Sequence, residues 1–268
     1  MVDTEIICTF VGIIGNFISL GLLACAVPTF SKIAMNNSVR GLKLVYHLAM
    51  TLSSLFWVLY GMPFIHRGFI PVLTSNGIIL ATQLAYLTIS LVYANDNKQR
   101  MYVGGVFLIE LVVFGLAIGL VIRQSPTSKT REEVAGVFCI VSYALILVPE
   151  ALCVVELQKT GSVENVQTRN LVGNMLYRLC WTIYASFKYD VVLGAVNFSG
   201  FLFGVFHIKV YDVYYKRYAK SGVDKKLETA EVQVRGMSTG ADKKLATAEL
   251  LLQDQKLMGC RSKEWAQV

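Results

Sequence analysis

Two asparagines and two tryptophans draw attention first, because each type recurs at nearly one spacing in apolar surroundings. Asn76 and Asn197 are 121 residues apart, and Trp57 and Trp181 are 124 apart. A carboxamide offers two donors and an acceptor with two lone pairs. Unpaired in hydrocarbon it is costly, so it must meet a neighbouring helix or a solute. A lone asparagine usually joins helices; two at matching positions favour a solute. Flat indole rings stack on C–H faces while amides bind hydroxyls. That combination suits a neutral polyol, since no acidic or basic pair accompanies it.

Each tryptophan opens the same motif. Trp57-Val58-Leu59-Tyr60 is echoed by Trp181-Thr182-Ile183-Tyr184, and Ser38-Val39 and Ser162-Val163 each lie 19 residues upstream. The chain therefore reads as two copies of one unit. Tyr60 and Asp190 fall at the outer end of one helix and in the turn before another. A phenol can donate to a carboxylate, so this pair is the candidate outer gate. Pro28 and Pro149 sit in corresponding helices, 121 residues apart. Proline removes a backbone hydrogen bond and kinks a helix, which makes them candidate hinges. Glu110, Glu150 and Arg178 are ionisable groups at membrane depth, and such groups are functional suspects by default. Glu110 is expected in a structural pairing. Glu150 is a candidate inner-gate group or proton site. Arg178, one turn before Trp181, has no evident partner in the sequence.

The elements that must hold these residues are membrane helices. The chain is 54% hydrophobic and 16% charged, against about 25% charged in soluble domains. A spanning helix needs about 20 mostly apolar residues. Seven such runs are expected, at roughly 6–30, 44–64, 70–94, 101–122, 134–157, 170–187 and 191–215. The sixth is the weakest, because Arg178 costs about 2.5–3.5 kcal/mol at a helix centre on insertion scales. Three helices, a linker helix and three more make an all-α integral membrane protein of two parallel repeats. The boundaries expected are 1–94, 95–130, 131–216 and a tail, 217–268, expected to be disordered.

Of the 25 Lys and Arg, 11 follow Tyr215. This basic tail, rather than a nucleic-acid partner, accounts for the net charge of +7, and anionic lipid suits it better. It places the C-terminus in the cytoplasm and the N-terminus outside. The N-terminus lacks a basic n-region, so the first apolar run is expected to remain as a helix. The tail repeats Asp224-Lys225-Lys226-Leu227 as Asp242-Lys243-Lys244-Leu245. The six cysteines show neither a disulfide framework nor metal-ligand spacing. No Walker sequence or nucleophile motif is present, so no cofactor and no enzyme activity are expected.

With these residues in view, the chain resembles the SWEET (nodulin/saliva) sugar transporters over roughly residues 6–216. The carrying residues are Gly15-Asn16, Pro28-Thr29-Phe30, Ser38, Tyr60-Gly61, Asn76-Gly77, Lys159-Thr160-x-Ser162-Val163-Glu164, Trp181-x-x-Tyr184, Asp190, and Asn197 with Gly200. The resemblance implies facilitated, bidirectional movement of mono- or disaccharides. It implies that Asn76, Asn197 and Trp181 line the sugar pocket and that Tyr60 and Asp190 form the outer gate. A smaller residue is usual at the position of Trp57, which argues here for a hexose over sucrose. The family's inner-gate prolines fall on Ala26, Tyr46, Glu150 and Gln167, so the tetrad is absent or displaced to Pro28 and Pro149. Tyr46 and Gln167 then become hinge or inner-gate candidates. Ala185 stands where a glycine is usual.

The leading expectation is a sugar uniporter in the plasma membrane, with a vacuolar or other internal membrane as the alternative. Homo- or hetero-oligomers stay open as partners. A seven-helix receptor fits the topology, but the third helix ends Val92-Tyr93-Ala94 without Asp-Arg-Tyr, and the seventh lacks Asn-Pro-x-x-Tyr. A transport-inactive subunit and a proton-coupled amino-acid carrier using Glu150 are the remaining alternatives.

Overall fold

The computed structural model describes residues 4–36, 39, 44–94, 96–123, 127–160 and 168–236. Among them are seven α-helices and no strand: α1 (Thr4–Asn36), α2 (Leu44–Tyr60), α3 (Ile70–Val92), α4 (Asn97–Arg123), α5 (Ser128–Thr160), α6 (Thr168–Lys188) and α7 (Val191–Gly236). Helices are the natural answer in hydrocarbon, because each satisfies its backbone groups internally. Five of them, α1, α3, α4, α5 and α7, are long and apolar enough to cross a membrane. α2 has 17 residues, a length of about 26 Å at 1.5 Å per residue. α6 is long enough but carries Asn170, Asn174 and Arg178. It holds its place by packing instead: Trp181, Tyr184 and Ala185 are fully buried.

The helices run past the apolar stretches that define them. α1 continues through Pro28 to Asn36, and α5 passes through Pro149, because membrane helices tolerate a proline whose freed carbonyl finds another partner. α7 runs on to Gly236. The first part of the tail, with the first tail repeat Asp224–Glu231, lies on that helix. Its start is reinforced one turn apart by Lys216 Nζ donating to Asp212 Oδ2 at 2.6 Å. The second copy, Asp242–Glu249, lies outside the described residues, as do Ser38, Ser162, Val163 and Gln167.

Met1–Val154 with Asn170–His207 form one compact unit, and Val155–Arg169 with Ile208–Val268 a second. Within the first, α3 packs between α1 and α2, and α4 lies against α2 and α3. α7 touches α5 where Gly136 faces Val192, and α6 where Gly194 faces Ala185 and Gly204 faces Met175. The two three-helix bundles meet over a core that includes Phe56, Trp57, Tyr60, Cys139, Trp181 and Tyr184. Phe56 of α2 stacks on Phe138 of α5, with ring centroids 5.2 Å apart. Outward, α4 exposes Leu108, Ile109, Val112 and Leu116, the apolar surface that lipid would cover.

Candidate functional site

The two asparagines adopt one geometry. Asn76 Nδ2 donates to Val72 O at 2.9 Å, and Asn197 Nδ2 donates to Leu193 O at 2.9 Å. Each amide thus satisfies one donor on its own helix, one turn back. Both side chains are buried, yet neither Oδ1 receives a hydrogen bond from the described residues. In each repeat an acceptor and a second N–H are left over for something else.

The tryptophans are equally buried. Trp57 meets Tyr60 edge-on at 5.5 Å, and Trp181 meets Tyr184 edge-on at 5.2 Å. Gly15 of α1 makes room for Trp181: a Cβ there would lie 2.8 Å from the indole Cζ2. The Trp181 Nε1–H is buried and meets no acceptor among the described residues. Next to Asn76, Ser75 donates to Tyr177 Oη of α6 at 3.3 Å and lies 2.6 Å from the Ser19 hydroxyl of α1. A separate apolar groove of about 310 Å³, between α1 and the start of α3, contains none of the paired residues.

At one end two contacts cross between the repeats. Tyr60 Oη donates to Asp190 Oδ2 at 2.7 Å. Tyr184 Oη donates to Gly68 O at 3.3 Å. Each tyrosine thus reaches from one repeat to the turn that follows the partner helix of the other. Asp190 is held for this task, because its Oδ1 caps α7 by accepting from Leu193 N at 2.7 Å. The turn before it puts Tyr189 in the left-handed region, φ 56°, where a non-glycine residue is strained. Across from it, Gly68 has φ 81°, natural for glycine. His66 joins the same end. Its ring stacks on Phe69 at 3.5 Å, and its Nδ1 lies 3.6 Å from Asp190 Oδ2. Burial pushes its imidazole below the usual value, against Glu132 and Asp190, which raise it.

The ionisable residues sort differently from expectation. Arg178 does have a partner: its Nη2 donates to Glu150 Oε1 at 3.0 Å. Its guanidinium also stands over the Tyr143 ring, 5.1 Å from the centroid. Glu110, expected to pair, is buried, and its Oε2 meets no partner among the described residues. The candidate hinges are not equivalent, since Pro28 is exposed and Pro149 buried. Tyr46, half-buried, lies within Coulombic reach of Glu150 and Arg178. Gln167 lies outside the described residues. The Tyr184, His66 and Arg178 contacts went unread in the sequence. The doubled Trp-x-x-Tyr motif was a signal for the first, but spacing held none for the others.

Comparison with known proteins shows the family. A family described as sugar efflux transporter for intercellular exchange matches residues 9–98 and 133–219. The chain belongs to the SWEET family. It is 33% identical to the bidirectional sugar transporter SWEET7b of Oryza sativa subsp. japonica, over 87% of each chain. It is 34% identical to the bidirectional sugar transporter SWEET7 of Arabidopsis thaliana, over 77% of this chain and 80% of that one. A eukaryotic SWEET transporter solved at 3.7 Å shares its fold, with a TM-score of 0.71 at 24% identity, over 80% of this chain and 99% of that one. This SWEET is therefore an integral, multi-pass membrane protein of a transporter family, not an enzyme.

Proposed function

We propose that this SWEET is a facilitative, bidirectional sugar uniporter that favours a hexose. The sugar binds between the repeats, with Asn76 and Asn197 as hydroxyl partners and the Trp57 and Trp181 rings against its C–H faces. The observation that carries this reading is the shared state of the two asparagines, each with one donor satisfied at 2.9 Å and an acceptor left over. The bulk of Trp57 supports the smaller substrate.

Transport proceeds by alternating access. Tyr60 and Asp190 form the outer gate, and their 2.7 Å bond supports the described arrangement as one closed on that side. Pro28, Pro149, Tyr46 and Gln167 act as hinge or inner-gate positions. The N-terminus faces outward and the C-terminus the cytoplasm, with the plasma membrane the favoured location. Transport is read as independent of an ion gradient, and the pairing of the intramembrane Glu150 carboxylate with Arg178 supports this against Glu150 as a proton site.

Radiolabelled glucose and sucrose uptake, in cells lacking their own sugar carriers, tests this. Glucose flux independent of the proton gradient is expected, reduced about two- to tenfold in Asn76→Ala and in Asn197→Ala, the size of one lost hydrogen bond. Surface expression is checked in parallel. Full glucose flux in both variants would move the site elsewhere.

A further inference from the structure

Arg178 has no counterpart in the first repeat. The 124-residue offset that carries Trp57 onto Trp181 carries Ser54 onto Arg178, and the 121-residue offset that carries Asn76 onto Asn197 carries Ile79 onto Gly200. Ser54 is buried and donates to its own helix, at Met50 O, 2.7 Å away. One turn inward of the first tryptophan the chain is therefore small and self-satisfied. One turn inward of the second, it carries a guanidinium.

Two neighbouring helices, α5 and α7, enclose that guanidinium. Glu150 of α5 accepts from it at 3.0 Å, and Tyr143 of α5 stacks under it. On α7, a Cβ at Gly200 would collide with the Arg178 side chain and lie 2.6 Å from Tyr143 Oη. Gly200 is bare where the arginine lies across it. The group also faces the other repeat: Tyr46 of α2 is within its Coulombic reach. So is Tyr177, the residue tied to Ser75 beside Asn76. Arg178 and Gly200 each stand three residues from Trp181 and Asn197, about 4.5 Å along the helix axis. Both are displaced away from the Tyr60–Asp190 closure.

We propose that Arg178, clamped by Glu150 and Tyr143 over Gly200, is the floor of the sugar site and limits it to one pyranose-sized unit. The inference rests on the reading of Trp181 and Asn197 as sugar-binding residues. The ion pair leaves the floor without net charge, so the site still suits a neutral polyol. A second hexose ring extending inward from Trp181 would have to occupy the volume of the guanidinium. A shorter side chain at this position, as Ser54 provides in the first repeat, opens that volume.

The test is the ratio of sucrose to glucose uptake in cells lacking sugar carriers. It compares wild type with Arg178→Ser/Glu150→Gln, which removes both charges together. The ratio is expected to rise about tenfold or more in the double variant, the scale on which removing a steric block acts, and to stay low in Arg178→Lys. An unchanged ratio in a double variant that reaches the surface overturns the proposal. Competition in wild type provides a measurement independent of any variant. Excess unlabelled sucrose is expected to leave labelled glucose uptake unchanged, and inhibition by sucrose overturns the proposal. Absence of glucose uptake in wild type overturns the sugar-site reading itself, a failure distinct from glucose uptake with unaltered selectivity.

Discussion

Tyr60 and Tyr184 occupy matching places in the two Trp-x-x-Tyr motifs, but their hydroxyls do unequal work. Tyr60 donates a hydrogen bond to a carboxylate at 2.7 Å, a bond to a charged group worth about 1.5–3 kcal/mol. Tyr184 donates a hydrogen bond to a carbonyl at 3.3 Å, worth about 0.5–1.5 kcal/mol. On the proposed gate reading, Tyr60→Phe is therefore expected to open the outer face more than Tyr184→Phe. Cys139 is a native reporter, fully buried within Coulombic reach of Tyr60. Its labelling by a membrane-impermeant maleimide, located by peptide mass spectrometry, is expected to speed up about ten- to a hundredfold in Tyr60→Phe, the population shift that bond implies. Equal rates in wild type and Tyr60→Phe would mean that the contact does not hold the outer face shut.

The fit between helices depends on single atoms. α2 ends at Tyr60 and turns back toward α3 through Gly61, whose N–H donates to Trp57 O at 3.0 Å. A Cβ at Gly61 would lie 2.8 Å from the Leu73 backbone nitrogen, and backbone cannot step aside as a side chain can. Gly61→Ala is expected to cost about 1–3 kcal/mol, as overpacking does, and to lower the thermal midpoint in detergent. Gly115→Ala on α4 would meet no atom within 4 Å and is the control, expected to show no loss. Between α5 and α6 the Glu150–Arg178 pair acts as a strut. Glu150→Ala leaves a guanidinium without its carboxylate and is expected to destabilise by about 3–5 kcal/mol. The double variant Glu150→Met/Arg178→Met loses less, because neither charge is stranded. A double variant no more stable than Glu150→Ala would show that the pair is not coupled.

At the scale of the whole molecule, in the alternating access proposed above, the balance between outer-closed and outer-open arrangements is expected to respond to pH through His66. Its imidazole lies below the usual 6.5, chiefly because the ring is buried, with Lys188 lowering it further and Glu132 and Asp190 opposing. An opened outer face returns the ring to water, where it binds a proton more readily. Closure is thus fully favoured above about pH 6.5, the pKa of a free imidazole, and is weakened as pH falls below it. The ratio of Cys139 labelling in wild type to that in His66→Gln is expected to rise on acidification, while the ratio itself cancels the chemistry of the reagent. A ratio flat with pH would remove His66 from the closure. What the amino-acid sequence by itself determined is the class, the helix order and the doubled residues. Apolar runs and recurrent spacing are written along the chain, and hydrocarbon permits them to be helices. Even so, α1, α5 and α7 outran their apolar limits, because backbone bonding continues wherever no residue stops it. The pairing of Arg178 with Glu150 and of Tyr184 with Gly68, the approach of His66 to Asp190, and the lack of a described partner at Glu110 Oε2, were decided only by tertiary structure. These residues are 28 to 124 positions from their partners, and which faces meet depends on how helices cross, a property that no local spacing encodes.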